Sequence, residues 1–168
     1  MKKLPEIKIR PAKEKDAPQL TRLLNMSHAE LYKEPAPEDH IRHAKENHGQ
    51  FMVAVRKGNV VGIHRMVPEA EIIYVDAGGN KKRVMATFLS SAFTVPGHRN
   101  KKVNSRLFAA VIERARREGR KILYVAAEGK KQPGLWEKRG FEKVGTCESC
   151  TMFNQGKCMG IPMYRKVL

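Results

Sequence analysis

The stretch from Thr94 to Phe108 reads TVPGHRNKKVNSRLF, and it joins the end of an apolar strand to the start of a helix. Pro96 and the glycine after it stop the strand. The helix is expected from about Asn104 to Glu118, because apolar residues recur there at the spacing of one helix face. Four cations surround the junction: Arg99, Lys101, Lys102 and Arg106.

This junction has the chemistry of an anion site. The first turn of a helix leaves backbone N–H groups without partners and carries a partial positive charge. A turn in front of the helix adds further N–H groups, which together suit a pyrophosphate. The alternative is an ordinary basic loop before an ordinary helix. The flanking cations favour phosphate binding.

The remaining pattern predicts an α+β fold. A strand at Ile7–Arg10 precedes a helix that Asp16 caps and that runs to about Asn25. After it we expect a polar helix, two β-hairpins, the helix described above, a buried strand, a short helix and two final strands. These elements are predicted at Glu38–Asn47, Phe51–Val55 with Val60–Ile63, Ile72–Val75 with Val84–Val95, Ile122–Ala127, Pro133–Arg139, Gly140–Thr146 and Met159–Val167. The order contains one strand–helix–strand crossover among mostly antiparallel strands.

Three segments resemble the GNAT superfamily of N-acetyltransferases. Thr94–Phe108 is similar to the family's CoA-binding motif, in which Arg/Gln-x-x-Gly-x-Gly/Ala opens a helix after a strand. Ile9–Asp16, with the leucines that follow, looks like the opening strand and helix. Leu135–Phe141 looks like the late aromatic-Glu-Lys-x-Gly-Phe signature. The resemblance covers nearly the whole chain and implies one domain, residues 1–168, with a mixed, mostly antiparallel central sheet flanked by helices on both faces.

The resemblance also implies an activity: transfer of an acetyl or related acyl group from acetyl-CoA to an amine, directly within a ternary complex. Main-chain amides at the end of the strand would polarise the acyl carbonyl. A base would deprotonate the amine. The candidates near the expected cleft are Glu69, Glu71, His64 and Glu128, of which Glu71 is preferred. The cofactor-binding residues that the resemblance implies are Phe93, Thr94, Val95, His98, Arg99, Asn100, Lys101, Lys102, Val103, Asn104 and Ser105.

The sequence departs from the family pattern at two places. The turn has no glycine: Asn100, Lys102 and Asn104 stand where glycine is usual. Asparagine tolerates left-handed backbone, whereas the Lys102 side chain must either turn outward to bind phosphate or fill the cofactor's place. Trp136 stands where the family has a tyrosine that protonates the departing thiolate, and an indole N–H cannot do this. Tyr164 and Tyr124 are the alternative donors, with Tyr164 preferred, unless water serves or the thiolate departs without a strong acid.

The charge limits the acceptor. The chain has 33 Lys and Arg against 17 Asp and Glu, a net charge of +16. From Gly79 to Gly145, 17 basic residues face five acidic ones, a net charge of +12. Such a field attracts anions and repels polyamines, aminoglycosides and basic tails. We therefore expect a neutral or acidic acceptor, with a nucleic acid or ribonucleoprotein as a candidate partner. The alternative function is a catalytically inactive GNAT-like module that binds CoA or nucleic acid.

Three cysteines form a cluster, Cys147-x-x-Cys150-x7-Cys158. The spacing suits three ligands of a structural zinc, although a fourth would have to come from elsewhere. Three unconnected thiols and a reversible Cys147–Cys150 disulfide are the alternatives. The apolar runs are far shorter than the roughly 18 residues of a membrane span, and no apolar signal region follows the basic N-terminus. These features predict a cytoplasmic protein with no membrane partner.

Overall fold

The computed structural model describes residues 6–128, 132–150 and 160–168, with the side chain of residue 150 left out. Four helices lie in these ranges: α1 Ala17–Tyr32, α2 Glu38–Glu46, α3 Val103–Arg117 and α4 Gln132–Lys138. Seven strands accompany them: β1 Lys8–Pro11, β2 Phe51–Arg56, β3 Asn59–Val75, β4 Lys81–Thr94, β5 Ile122–Ala126, β6 Glu142–Cys150 and β7 Pro162–Val167. Within the described ranges, each helix is too short or too polar to cross a bilayer.

The strands form one sheet in the order β1-β2-β3-β4-β5-β7-β6. β4 and β5 are parallel, with Thr87 opposite Leu123, and α3 provides the crossover between them. The neighbouring pairs β1–β2, β2–β3, β5–β7 and β6–β7 are antiparallel. This topology confirms the predicted α+β class and its mostly antiparallel sheet with one crossover.

One predicted hairpin boundary was wrong. The segments Val60–Ile63 and Ile72–Val75 are parts of the single strand β3, so three strands, not four, lie between α2 and α3. Pro68 lies within this strand, although proline gives no N–H to a sheet ladder. The strand continues through it, and the Pro68 carbonyl accepts hydrogen bonds from Thr87 Oγ1 at 3.1 Å and Arg120 Nη1 at 3.4 Å.

The chain divides into two compact units. The first comprises residues 6–66 and 91–114, and the second comprises the described residues of 67–90 and 115–168. In the first unit α1 packs its leucines on the sheet face that carries Ile63. The residue before it, Gly62, faces the opposite side of the sheet and lies under Val103 and Leu107 of α3. Helices therefore cover both faces of this part of the sheet.

The second unit has its own core. Phe88, Tyr124 and Met163 are buried there on neighbouring strands. Trp136 of α4 packs edge-on against Phe141, with ring centroids 5.2 Å apart. The segment Leu135–Phe141 therefore includes the end of α4, and Trp136 packs this helix beside the start of β6.

Candidate functional site

The turn between β4 and α3 has the backbone of a glycine-rich loop, although residues 98–104 include no glycine. β4 ends at Thr94, and a short 3-10 turn follows. Asn100 and Lys102 have φ values of 60° and 58°, in the left-handed region that glycine normally occupies. Asn104 instead lies inside α3, which begins at Val103. Two of the three positions where glycine is usual in the resembling motif thus adopt glycine's conformation.

Several main-chain donors before the turn are already used. The Val95 N–H donates to the Val61 carbonyl at 3.0 Å, which extends the pairing of β4 with β3. His98 and Arg99 close the 3-10 turn by donating to Val95 and Pro96. The main-chain N–H groups of these three candidate residues are therefore not available to a ligand.

The donors after them are available. Asn100, Lys101 and Lys102 give their N–H groups to no other group in the described part of the chain. Arg106 donates to the Lys102 carbonyl at 3.0 Å in the first turn of α3, and the N–H groups of 103–105 precede it without acceptors inside the helix. An uninterrupted row of N–H groups thus runs from residue 100 to residue 105.

Arg99 is tied to α1 and to β4. Its Nε donates to the Thr94 carbonyl at 3.1 Å, its Nη2 lies 2.5 Å from Glu30 Oε2, and its guanidinium stacks 5.5 Å from the Phe93 ring. These contacts fix the turn against the first helix. Arg99 therefore holds the turn against α1, and its charge is paired with that of Glu30.

The other three predicted cations differ from one another. Lys101 Nζ donates to the Gly97 carbonyl at 2.8 Å, and Arg106 Nη2 donates to the Ile7 carbonyl at 2.7 Å. Lys102 is exposed. Its side chain therefore points away from the buried interior, as the phosphate-binding alternative requires.

Two buried polar atoms beside the turn make no hydrogen bond within the described residues: Thr94 Oγ1 and His98 Nδ1. Arg56 Nη1 lies 3.2 Å from His98 Nε2, and because arginine can only donate, Nε2 is the acceptor and the ring proton is on Nδ1. Burial lowers the pKa of His98, and Arg56 and Lys101 lower it further. A neutral imidazole with a buried, unused N–H donor therefore adjoins the row of amides.

The two predicted catalytic residues belong to the second unit. Glu71 forms an ion pair with Arg83 at 3.3 Å, and both side chains are partly exposed. The Tyr164 hydroxyl is buried and donates to Glu137 Oε1 at 3.2 Å. Burial raises the Tyr164 pKa, and Glu137 raises it further, so its proton is firmly held.

Trp136 has its one polar atom occupied. Its Nε1 donates to Gln132 Oε1 at 3.3 Å, one turn earlier in α4. Arg139 lies over the indole ring, with its guanidinium carbon 5.2 Å from the centroid. Trp136 is therefore a packing residue of the second core.

The cysteine cluster is only partly visible. Cys147 is buried on β6, opposite Tyr74. Residue 158 and the side chain of Cys150 lie outside the described residues. No group of three potential metal ligands occurs in the ranges that the structure covers. A zinc held by Cys147, Cys150 and Cys158 stays a prediction.

Sequence reasoning missed a polar centre in the first unit. Arg65 on β3 is completely buried, and its Nε and Nη2 both donate to Gln50 Oε1, at 3.0 and 2.7 Å. Its guanidinium also lies 5.2 Å from the Phe51 ring centroid. The available signal was a charged residue inside the apolar run 63–67, which usually indicates a buried functional or paired group.

Nearby histidines complete this centre. His40 Nδ1 lies 3.2 Å from His28 Nε2, and the two rings are 5.2 Å apart. Burial lowers the pKa of His40 to about 4, and the Arg65 charge contributes to the shift. Arg65 also lowers the pKa of His43, after burial. Arg65 and His28 are therefore buried between α1, α2 and β3, with His40 half-buried beside them and His43 at the surface.

Comparisons with known proteins agree with the fold. The model of the acetyltransferase (GNAT) family matches residues 17–141. The ribosomal-protein-alanine N-acetyltransferase from Brucella melitensis is 23% identical over 96% of this chain and 99% of that chain, with a TM-score of 0.67. N-acetylglutamate synthase from Neisseria gonorrhoeae, complexed with coenzyme A and N-acetyl-glutamate, is 16% identical over 99% and 36% of the two chains, with a TM-score of 0.71.

The GCN5-related N-acetyltransferase from Kribbella flavida is 21% identical over 83% of this chain and 34% of that chain, with a TM-score of 0.63. The chain thus spans about a third of the Neisseria and Kribbella proteins. No curated protein sequence matches. At these identities the structural likeness establishes the fold, and the family match covers most of the chain.

Proposed function

The chain belongs to the acetyltransferase (GNAT) family, and from this we propose that it transfers an acetyl or related acyl group from acyl-CoA to an amine within a ternary complex. The single observation that carries the proposal is the row of open N–H groups at residues 100–105. Such a row at a helix N-terminus suits the diphosphate of CoA. The Neisseria relative, complexed with coenzyme A, supports the same ligand.

The residues fit this ligand despite the missing glycines. Asn100 and Lys102 already adopt positive φ, so the backbone does not need glycine to expose its donors. The exposed Lys102 side chain adds a cation beside the phosphates, where a charge-assisted hydrogen bond contributes about 1.5–3 kcal/mol before screening. The buried Thr94 hydroxyl and His98 Nδ1–H offer further polar contacts. We assign the binding role to 100–105, with Phe93, Thr94 and His98 beside them.

Acyl transfer needs side chains for only two proton transfers. The acyl donor, when bound, supplies an activated thioester carbonyl. The amine forms the new C–N bond as the C–S bond breaks, so one proton must leave the amine and one must reach the thiolate. We propose Glu71 for the first transfer and Tyr164 for the second. Because Val95 donates its N–H to Val61, the carbonyl must be polarised by other groups at the end of β4.

The acceptor follows from the charge. A net charge of +16 favours neutral or acidic amines over polyamines. The Brucella relative is named for an alanine of a ribosomal protein, and the Neisseria relative is named for glutamate. By analogy with these two relatives, we propose an amino acid or a macromolecular amine as the acceptor. A ribonucleoprotein acceptor would also use the basic half of the chain.

The test is calorimetric titration with acetyl-CoA, followed by thiol release in the presence of amines. Lys102→Glu should weaken binding at least about tenfold, because it exchanges a cation for an anion beside the phosphates. Lys45→Glu is the matched control: it makes the same charge change at an exposed position of α2 and should stay within about twofold. Absence of heat at millimolar acetyl-CoA would remove the proposal. Binding without thiol release from any amine would support the inactive alternative.

A further inference from the structure

A groove in the second unit lies between β4 and the segment that leads into β5. Its volume is about 630 Å³, and the described residues that line it all belong to the second unit. The lining consists of residues 84–87, residues 119–122, Pro68, Glu69 and Tyr124. The groove is therefore built without any residue of the turn between β4 and α3, which belongs to the first unit.

The groove meets one edge of β4. This strand begins at Lys81, but its parallel pairing with β5 covers Thr87–Leu89 alone. Four consecutive residues, 84–87, line the groove, although successive side chains of a strand point to opposite faces of the sheet. A surface that meets consecutive residues runs along the strand edge, here the part that β5 leaves unpaired. Such an edge offers main-chain hydrogen bonds to an added strand.

Two large apolar side chains that line the groove are exposed to solvent. Met85 is 67% exposed and Ile122 is 39% exposed. Val84 and Ala86, beside Met85 on the same strand, are partly buried. Exposed apolar side chains next to an unpaired strand edge are typical of protein interaction sites, and methionine adapts its shape to different partners. The groove therefore suits an apolar side chain from a second protein.

The charges around the groove favour an acidic partner. Arg116, Arg117 and Lys121 are exposed, and none of the three forms an ion pair within the described residues. The other cation of the lining, Arg120, is paired with a neighbouring carboxylate at 3.6 Å. Glu69 is the one carboxylate among the described lining residues. Three unpaired cations and one carboxylate give a net charge of +2, which attracts acidic groups.

We propose that this groove binds an extended acidic segment of a partner protein. The segment lies along the β4 edge, places an apolar side chain against Met85 and Ile122, and directs its carboxylates toward the cations at 116–121. Single-stranded nucleic acid is the other anionic partner to consider, but it binds by stacking on exposed aromatic rings, and Tyr124, the aromatic residue of the described lining, is buried. The inference goes beyond the proposed acyl transfer and does not depend on it.

The experiment measures the binding of fluorescein-labelled nonapeptides to the full chain by fluorescence anisotropy, without acyl-CoA and at low ionic strength. Each probe peptide has Leu, Met or Phe at its centre and Asp or Glu at the other positions. In the matched peptides either the acids are replaced by Asn and Gln, or the central residue is replaced by Ser. At least one acidic peptide should bind with a Kd below about 100 μM, and both replacements should weaken its binding about tenfold.

Met85→Glu and Lys121→Glu should each weaken this binding at least about fivefold. The matched controls are Leu31→Glu, at an exposed apolar residue of α1, and Lys143→Glu, at an exposed cation of β6, which should stay within about twofold. Bound peptide should also slow hydrogen exchange of the amides at 84–86, which attraction of charges alone would not do. Equal binding of acidic and amide peptides, unchanged binding in both groove variants, or absence of peptide binding at about 1 mM would overturn the inference. Displacement of the peptide by an equal concentration of a nine-nucleotide oligouridine would assign the groove to nucleic acid instead.

Discussion

Gly62 of β3 and Val103 at the start of α3 are in such close contact that a Cβ on Gly62 would lie 3.0 Å from Val103 Cγ1. The same Cβ would lie 3.0 Å from Leu107 Cδ1, so the first turn of the helix rests directly on the strand. Val103 and Leu107 are buried. This contact sets the position of the open N–H groups that precede and begin α3.

Gly62→Ala should therefore disturb the proposed CoA site, because the new methyl group would push against the first turn of α3 from the strand beneath it. The added methyl group requires the two helix side chains to shift, at a cost of about 1–2 kcal/mol in the free energy of unfolding. The row of N–H groups should move with them and weaken acetyl-CoA binding several-fold. Urea denaturation and calorimetric titration measure the two effects. Gly49→Ala is the control, since a Cβ at Gly49 would meet nothing within 4 Å; an equal loss in both variants would refute the explanation.

The left-handed backbone conformation of Lys102 predicts that glycine substitutions at Lys102 and Lys101 change stability in opposite directions. A non-glycine residue in this region costs about 1–2 kcal/mol, whereas glycine loses about 0.4–1 kcal/mol through the entropy of the unfolded chain. Lys102→Gly should consequently raise the free energy of unfolding by up to about 1 kcal/mol. Lys101→Gly has no such strain to relieve, because its φ is not positive, and should lower stability. Urea denaturation of both variants decides; destabilisation of Lys102→Gly would show that the turn is not strained there.

Elements with a continuous apolar pattern were predicted correctly from the sequence. An element boundary that depends on backbone conformation was not. The parallel pairing of β4 and β5 followed from the apolar run at Ile122–Ala126 and from the helix between the two strands. The end of α1 did not follow: the helix was expected to stop near Asn25 and reaches Tyr32. It stops because Lys33 adopts a φ of 62°, a conformation usually indicated by glycine.

The site shows the same division. The position of the turn before α3 was predictable because the strand stop and the helix start lie within fifteen consecutive residues, whereas its binding of phosphate stays a prediction. Arg65 was not, since its role depends on burial beneath α1 and α2 and on Gln50, which is fifteen residues away. A charged residue in a strand usually faces solvent. The apolar run 63–67 was the one local sign that Arg65 is buried, and it does not indicate Gln50 as the partner.

His40 should make the stability of the protein depend on pH. Its pKa is lowered from 6.5 to about 4, first by burial and then by Arg65 and His28. Between these two pH values the unfolded chain binds a proton that the folded chain does not, so stability is complete above the upper value and falls as the pH drops toward the lower one. The contribution is about 3 kcal/mol. His40→Gln should remove it, as the difference between urea denaturation of the two proteins at several pH values will measure; parallel pH profiles would contradict the burial of His40.

Arg65 should be dispensable for folding, because no carboxylate of the described residues forms an ion pair with its buried charge. Replacing a buried, unneutralised charge by an apolar side chain of similar length often raises stability by about 1–4 kcal/mol. Arg65→Met should therefore keep or increase the free energy of unfolding. The pKa of His40, followed by NMR, should rise in this variant because one of the groups that lower it is removed. A strongly destabilised Arg65→Met would show that Gln50 and Phe51 need the guanidinium for packing.

Trp136 and Tyr164 should differ sharply in their effect on turnover. The indole N–H is bonded to Gln132 and is not acidic, so Trp136→Phe should change kcat by less than about threefold while costing about 1–2 kcal/mol of stability through lost packing. Tyr164→Phe removes one buried hydrogen bond to Glu137, which costs about 1 kcal/mol, yet it should lower kcat about 100-fold because the proposed proton donor is lost. Because burial and Glu137 raise the Tyr164 pKa, this donor stays protonated and the alkaline limb of the wild-type kcat profile should lie above the usual tyrosine range. Turnover of Tyr164→Phe within threefold of wild type would assign thiolate protonation to water.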